Sequence, residues 1–222
     1  MLMNRNIISL IDHQIFVDIK EFSIKDCNYL NEIELEAWNN KKKHLRNGKD
    51  WLVGRVAAKY SIARCLNIKS EEINQIYIQN RSNGAPYYLN GRKEDLVFSI
   101  SHCNSVGFAC SSASFSNIGC DIEKVRKRHP TFSNYYLSVA EEQIWIEKLE
   151  NEDRDTILTI AWSCKEACFK CLTNSVEFSE AIRDIKIYPV VNHSFNFFYK
   201  NKKGLGYWDK YKGFIISIAV LF

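Results

Sequence analysis

The stretch from residue 154 to 172 constrains the fold more than any other, because it has the period of a helix and two faces of different chemistry. At about 100° per residue, Ile157, Ile160, Ala161, Cys164, Cys168, Cys171 and Leu172 form one apolar stripe. Trp162, Glu166 and Lys170 fall on roughly the opposite side. Glu166 and Lys170, one turn apart, read equally as an i, i+4 surface ion pair, which is common and worth little. Trp162 beside them argues against a merely solvated surface, so this second face packs on something polar as well as apolar.

A second segment gives that face its meaning. Gly119-Cys120-Asp121-Ile122-Glu123 reads as a strand. The i, i+2 spacing puts Asp121 and Glu123 on one face and turns Ile122 to the other, into the core. Two parallel carboxylates repel unless a cation or a proton sits between them. On their own they are equally an edge strand with solvated acids. With Glu166 they make three carboxylates, a donor set that suits Mg²⁺, which prefers hard oxygen ligands and is usually completed by substrate phosphates. Lys170 is placed to neutralise a phosphate or the charge on a leaving group.

The chain of 222 residues allows one large domain or two small ones, and 46% hydrophobic residues support a proper core. With 25% charged residues and no low-complexity tract, nothing points to disorder. A net charge of +4 permits acidic partners without demanding nucleic acid. Eight cysteines lie mostly inside apolar segments and no secretory signal precedes them, since Arg5 and Asp12 interrupt the N-terminal apolar residues. The apolar run Phe214 to Phe222 is too short to span a bilayer. The expectation is a cytoplasmic protein with reduced thiols.

Helices are expected over 51–66, 141–149 and 154–172. Strands are expected over 73–78, 96–100, 106–110, 118–125, 185–191, 195–199 and 214–221. Mixed helices and hairpin-like strand pairs favour an α+β fold over a doubly wound parallel sheet. A serine-rich stretch from Ser111 to Ser116 separates the halves, giving subdomains 1–113 and 114–222. A faint repeat relates them. Lys59 precedes Arg64-Cys65-Leu66 as Lys165 precedes Lys170-Cys171-Leu172, close to half a chain apart. It suggests two similar α/β subdomains about a pseudo-twofold axis with a site between them.

Ser101 and His102 end a strand, where a hydroxyl and an imidazole can donate to a phosphate; a histidine at a strand end is otherwise unremarkable. The basic run Lys41, Lys42, Lys43, His44, Arg46 and Lys49 reads mainly as a solvated loop, of which one or two residues could reach an anionic ligand, Arg46 being the one singled out. Arg55 reads either as an anion contact or as a structural ion-pair residue.

Four blocks, in order, resemble the 4′-phosphopantetheinyl transferases of the larger, surfactin-synthetase-activating type. They are Trp51-Leu52-Val53-Gly54-Arg55-Val56-Ala57-Ala58-Lys59, Phe98-Ser99-Ile100-Ser101-His102, Gly119 to Glu123, and Trp162-Ser163-Cys164-Lys165-Glu166-Ala167-Cys168-Phe169-Lys170. Ser138 to Glu141 resembles that family's Ser-x-x-Glu helix start more weakly. The resemblance implies transfer of the phosphopantetheine arm of coenzyme A to a serine of an apo acyl or peptidyl carrier protein, by a monomer built as a pseudo-dimer. It implies that Asp121 and Glu123 bind Mg²⁺ and the diphosphate. Glu166 joins the metal shell, acts as base, or does both; Lys170 contacts phosphate and eases departure of 3′,5′-ADP; Ser101 and His102 hold the 3′-phosphate. One departure is Gly84-Ala85-Pro86, where the family often has Gly-Lys-Pro, so a nucleotide-contacting lysine is missing.

Two other readings compete. Cys164-x3-Cys168-x2-Cys171 has the spacing of radical enzymes that bind an iron–sulfur cluster, but here the cysteines lie on the apolar stripe of a helix. A non-catalytic relative that binds carrier proteins or coenzyme A is the other.

Overall fold

The computed structural model describes residues 7–10, 12–43, 45–89, 96–172 and 177–221, with the side chains of residues 45–47 left out. The chain divides into two compact units, Met1–Ile118 and Gly119–Phe222. None of the described helices is long and apolar enough to cross a membrane.

The first unit opens with β1 (Ile7–Leu10) and β2 (His13–Glu21), followed by a 3-10 turn at Ile24–Tyr29. The helices α1 (Glu32–Lys41) and α2 (Leu45–Cys65) follow, then a 3-10 turn at Ser70–Gln75. The strands β3 (Ile78–Asn80), β4 (Pro86–Tyr88), β5 (Val97–Cys103) and β6 (Val106–Ser112) complete it. One antiparallel sheet has the order β1-β2-β6-β5, and β3 pairs with β4. The apolar face of α2, including Ala57, Ala58, Ile62 and Ala63, joins Ala109 of β6 in the core.

The second unit runs β7 (Asn117–Lys124), a 3-10 turn at Ser133–Tyr135, α3 (Val139–Lys148), α4 (Arg154–Leu172), α5 (Phe178–Asp184), β8 (Lys186–Pro189), β9 (Ser194–Tyr199), β10 (Lys202–Tyr211) and β11 (Phe214–Leu221). Its sheet has the order β7-β11-β10-β9-β8. The stripe expected on α4 is buried at all seven positions, in one core with Phe195, Phe197, Ile215 and Ala219.

Each unit contains the same local device. In α1 the Asn31 side chain accepts from Glu34 N–H at 2.9 Å while Glu34 accepts from Asn31 N–H at 3.2 Å. In α3 Ser138 and Glu141 do the same, at 3.2 and 3.1 Å. Such a reciprocal cap satisfies two backbone donors that a helix start leaves open. In both units the capping glutamate also receives a fully buried lysine from the long helix. Lys59 Nζ lies 2.6 Å from Glu34, and Lys165 Nζ lies 3.3 Å from Glu141. Lys165 further donates to the carbonyls of Tyr136 and Ile182.

One sequence expectation needs correction. Residues 73–78 are not a strand: Ile73 and Ile76 are buried on the 3-10 turn and pairing begins only at Ile78. Their i, i+3 spacing puts them on one side of a three-residue turn, which a short apolar run does not distinguish from a strand. Of the two readings of Arg55, the structure takes the ion-pair one. Arg55 is buried, donates to Asn80 at 3.0 Å and lies 4.0 Å from Glu34.

Candidate active site

Strand β7 delivers Asp121 and Glu123 on one face, as their spacing requires, with Ile122 buried behind them. Helix α4 lies directly on this strand because Gly119 leaves room for it. A Cβ built at Gly119 would stand 2.1 Å from the Ala167 carbonyl oxygen and 2.4 Å from Cys171 N. Both are backbone atoms, so no side chain can swing away. Gly119→Ala is expected to cost about 3 kcal/mol or more and to lift α4 off β7. A chemical-denaturation midpoint unchanged from the parent would contradict this contact.

The close approach brings the second face of α4 to the strand carboxylates. Lys170 Nζ donates to Asp121 at 2.8 Å and lies 3.9 Å from Glu166. Asp121 is buried, while Glu166 and Lys170 are partly open. Burial, and next the charge of Asp121, push the Glu166 carboxyl up to about 8, against the pull of Lys170. Burial alone would lower the Lys170 amine; Asp121 and Glu166 outweigh it and hold its pKa above the ordinary lysine value. Glu123 is also raised, by burial and by Asp121. Its carboxylate turns to Arg128, whose guanidinium donates at 3.1 Å. Among the described residues no three carboxylate, imidazole or thiol groups are gathered so as to hold a metal.

Trp162 closes the same face of α4 in an aromatic cage with Phe132, Tyr136 and Phe178, at centroid distances of 5.4, 5.0 and 6.0 Å. The polar-and-apolar packing expected for this face is therefore aromatic around Trp162 and ionic around Lys170.

Ser101 and His102 belong to the first unit. As neighbours on β5 they face opposite ways, Ser101 buried and His102 exposed. His102 Nδ1 lies 4.0 Å from Asp50, which also accepts from Ser105 N–H at 2.6 Å. The side chain of Arg46 lies outside the described residues. Asp50 and Arg128 were not foreseen. Arg128 ends the basic run that follows Glu123, and that run is the signal that points to it.

The iron–sulfur reading fails on position. Cys164, Cys168 and Cys171 are sealed in the core, and burial drives all three thiols well above their ordinary pKa. A cluster needs thiolates in reach of iron. Five of the cysteines described in the structure are buried.

Residues 117–219 match the model of the 4′-phosphopantetheinyl transferase superfamily. The segment holds Asp121, Glu123, Glu166 and Lys170. No curated protein matches the chain. Among solved structures, the holo-[acyl-carrier-protein] synthase of Thermotoga maritima is 18% identical, with a TM-score of 0.38, over 48% of this chain. The chain spans 63% of that protein's length.

Proposed function

We propose that this chain transfers the 4′-phosphopantetheine arm of coenzyme A to a serine of an apo acyl or peptidyl carrier protein, with Mg²⁺, releasing 3′,5′-ADP. The observation that carries this reading is the meeting of Asp121, Glu166 and Lys170, which come from blocks far apart in the chain, at ion-pair distance. The superfamily match over the same segment supports it.

The donor types suit a magnesium ion, although here Arg128 holds Glu123 and Lys170 stands against Asp121, so the three acids are not gathered around one point. Asp121, Glu123 and Glu166 offer only carboxylate oxygens, the hard donors that this ion prefers. These three would hold the ion, which when bound would neutralise the diphosphate of coenzyme A. Lys170 then turns its ammonium from Asp121 towards the departing phosphate. Glu166, once deprotonated, accepts the proton of the carrier serine as its oxygen bonds to phosphorus. The bond from that phosphorus to the bridging oxygen breaks, and the electron pair leaves with 3′,5′-ADP. Catalysis of this kind depends on positioning and charge neutralisation.

On this reading His102 meets the 3′-phosphate, and Asp50, 4.0 Å from its Nδ1, orients the imidazole. Asp50→Asn retains an oxygen for Ser105 N–H but removes the charge beside His102. It is expected to raise KM for coenzyme A several-fold and to leave KM for 3′-dephospho-coenzyme A unchanged. Equal effects on both donors would contradict the role of His102.

The deciding experiment mixes the protein with coenzyme A, Mg²⁺ and a panel of apo carrier proteins and reads intact mass. A carrier that gains the mass of the arm supports transfer. A complex that forms with no carrier modified favours the non-catalytic reading.

A further inference from the structure

The first unit repeats the acid and cation pairing of the second, and two structural registers align the copies. At the sheet, Phe22 N–H donates to Ser105 O at 3.0 Å, and Val125 N–H donates to Gly213 O at 3.0 Å. Each acceptor is the second residue of a hairpin turn with two consecutive positive φ angles, Asn104 and Ser105 in one, Lys212 and Gly213 in the other. At the helices, the buried Lys59 and Lys165 meet the capping Glu34 and Glu141. Counting from these anchors, Asp18 corresponds to Asp121, Lys20 to Glu123, Tyr60 to Glu166 and Arg64 to Lys170.

The correspondence holds in contacts. Arg64 of α2 donates to Asp18 of β2 at 2.5 Å, as Lys170 of α4 does to Asp121 of β7. Asp18 is buried, and its Oδ1 has no hydrogen-bond partner. Where the second unit has two further carboxylates, the first has a cation and a ring. Lys20 Nζ stands over the Tyr60 ring, 4.0 Å from its centroid, and its charge acts on both Asp18 and the buried Asp26. An ammonium over a tyrosine face is itself a favourable contact. The charges differ accordingly. Asp18 and Asp26 against Lys20 and Arg64 leave a neutral cluster. Asp121, Glu123 and Glu166 against Lys170 and Arg128 leave one more acid than cation.

We propose that the first unit holds a second copy of the acidic site whose cation is built in: the ammonium of Lys20 occupies the role that a divalent ion has in the second unit, and Tyr60 closes the place to metal. The part of this inference that concerns the second unit rests on the metal assignment of the proposed function. The copy in the first unit is an internal ion cluster that ties β2 to α2.

The test is the double variant K20E/Y60E, which replaces the ammonium and the ring by the acids found at the corresponding positions of the second unit. Bound Mn²⁺ per chain is counted from the paramagnetic resonance of the free ion. The variant is expected to bind one more ion than the parent. A folded variant with the parent's stoichiometry overturns the inference. If the variant unfolds without metal, far-ultraviolet circular dichroism with excess Mn²⁺ decides: recovery of the parent spectrum supports the inference, because an ion that binds only the folded state stabilises it, and a chain that stays unfolded overturns it. The inference is judged on the increment and the metal assignment on the parent's own count, so a parent that binds no Mn²⁺ sinks only the latter.

Discussion

Glu166→Gln is expected to lower the rate of arm transfer by about 10²–10⁴, the contribution of a positioned general base, while the protein stays folded. Asp121→Asn should do comparable damage, because it removes the carboxylate that Lys170 and Glu166 share. Near-parental turnover in either variant would end the assignment of this site. The glutamine variant has a second signature. Glutamine imitates the protonated acid, whereas Glu166 is pushed from 4.5 up to about 8, first by burial and then by Asp121. A carboxyl raised on folding contributes stability that is full below its unfolded value and is lost as the pH rises through its folded value. Without metal, the parent should therefore lose melting temperature relative to Glu166→Gln between about pH 5 and about pH 8. Mg²⁺ should reverse that loss in the parent alone. Parallel melting curves across this interval would show that Glu166 is not desolvated as the structure places it.

Glu141→Ala is expected to cost about 3–5 kcal/mol, the usual price of leaving a buried charge unpaired. For a chain of this size that corresponds to a melting temperature lower by about 10 °C or more. The substitution removes the acceptor of Ser138 N–H, the ion pair with Lys165 and a 3.3 Å hydrogen bond from Ile187 N–H in one step. Burial already lowers the Lys165 amine to about 8, Glu141 resisting. Without the glutamate the amine loses its proton at lower pH, so the deficit should narrow as the pH rises towards about 8 and stay constant above it. Pairing Glu141→Leu with Lys165→Met should recover most of the stability, since an apolar pair leaves no charge to compensate. A double variant as unstable as Glu141→Ala would mean that the cap, not the ion pair, holds this corner. Lys165 stands beside Glu166 in the sequence but faces the opposite way, into the core. Loss of Lys165 should therefore appear first in melting curves and loss of Glu166 first in turnover.

Much of the second unit was legible beforehand. The stripe on α4 and the i, i+2 acids of β7 follow from backbone periods of 3.6 and 2 residues, which do not depend on what packs against them. Strand β10 was missed because Gly204 and Gly206 dilute its pattern; they make room for the rings of Phe197 and Phe195, a reason that exists only across strands. Helix α1 was missed because few of its residues are apolar, and its start is held instead by the reciprocal cap of Asn31 and Glu34. The repeat was visible as a few matched letters around Lys59 and Lys165. Its content, a strand acid tied to a helix cation in each unit, was hidden because Lys20 and Tyr60 share no letter with Glu123 and Glu166.

By itself the sequence determined which residues share a face: three acids and a lysine on one strand and one helix, and a cysteine stripe turned to the core. Local geometry is enough for that, because side-chain direction follows from backbone dihedrals. Only the tertiary structure decided which faces meet. The missing Cβ of Gly119 lets α4 lie against β7, and burial there leaves Asp121 and Glu166 competing for one ammonium. It also decided that Glu123 turns to Arg128 and that Lys165 is structural, since partners distant in the chain are chosen by packing and desolvation, which no local period encodes.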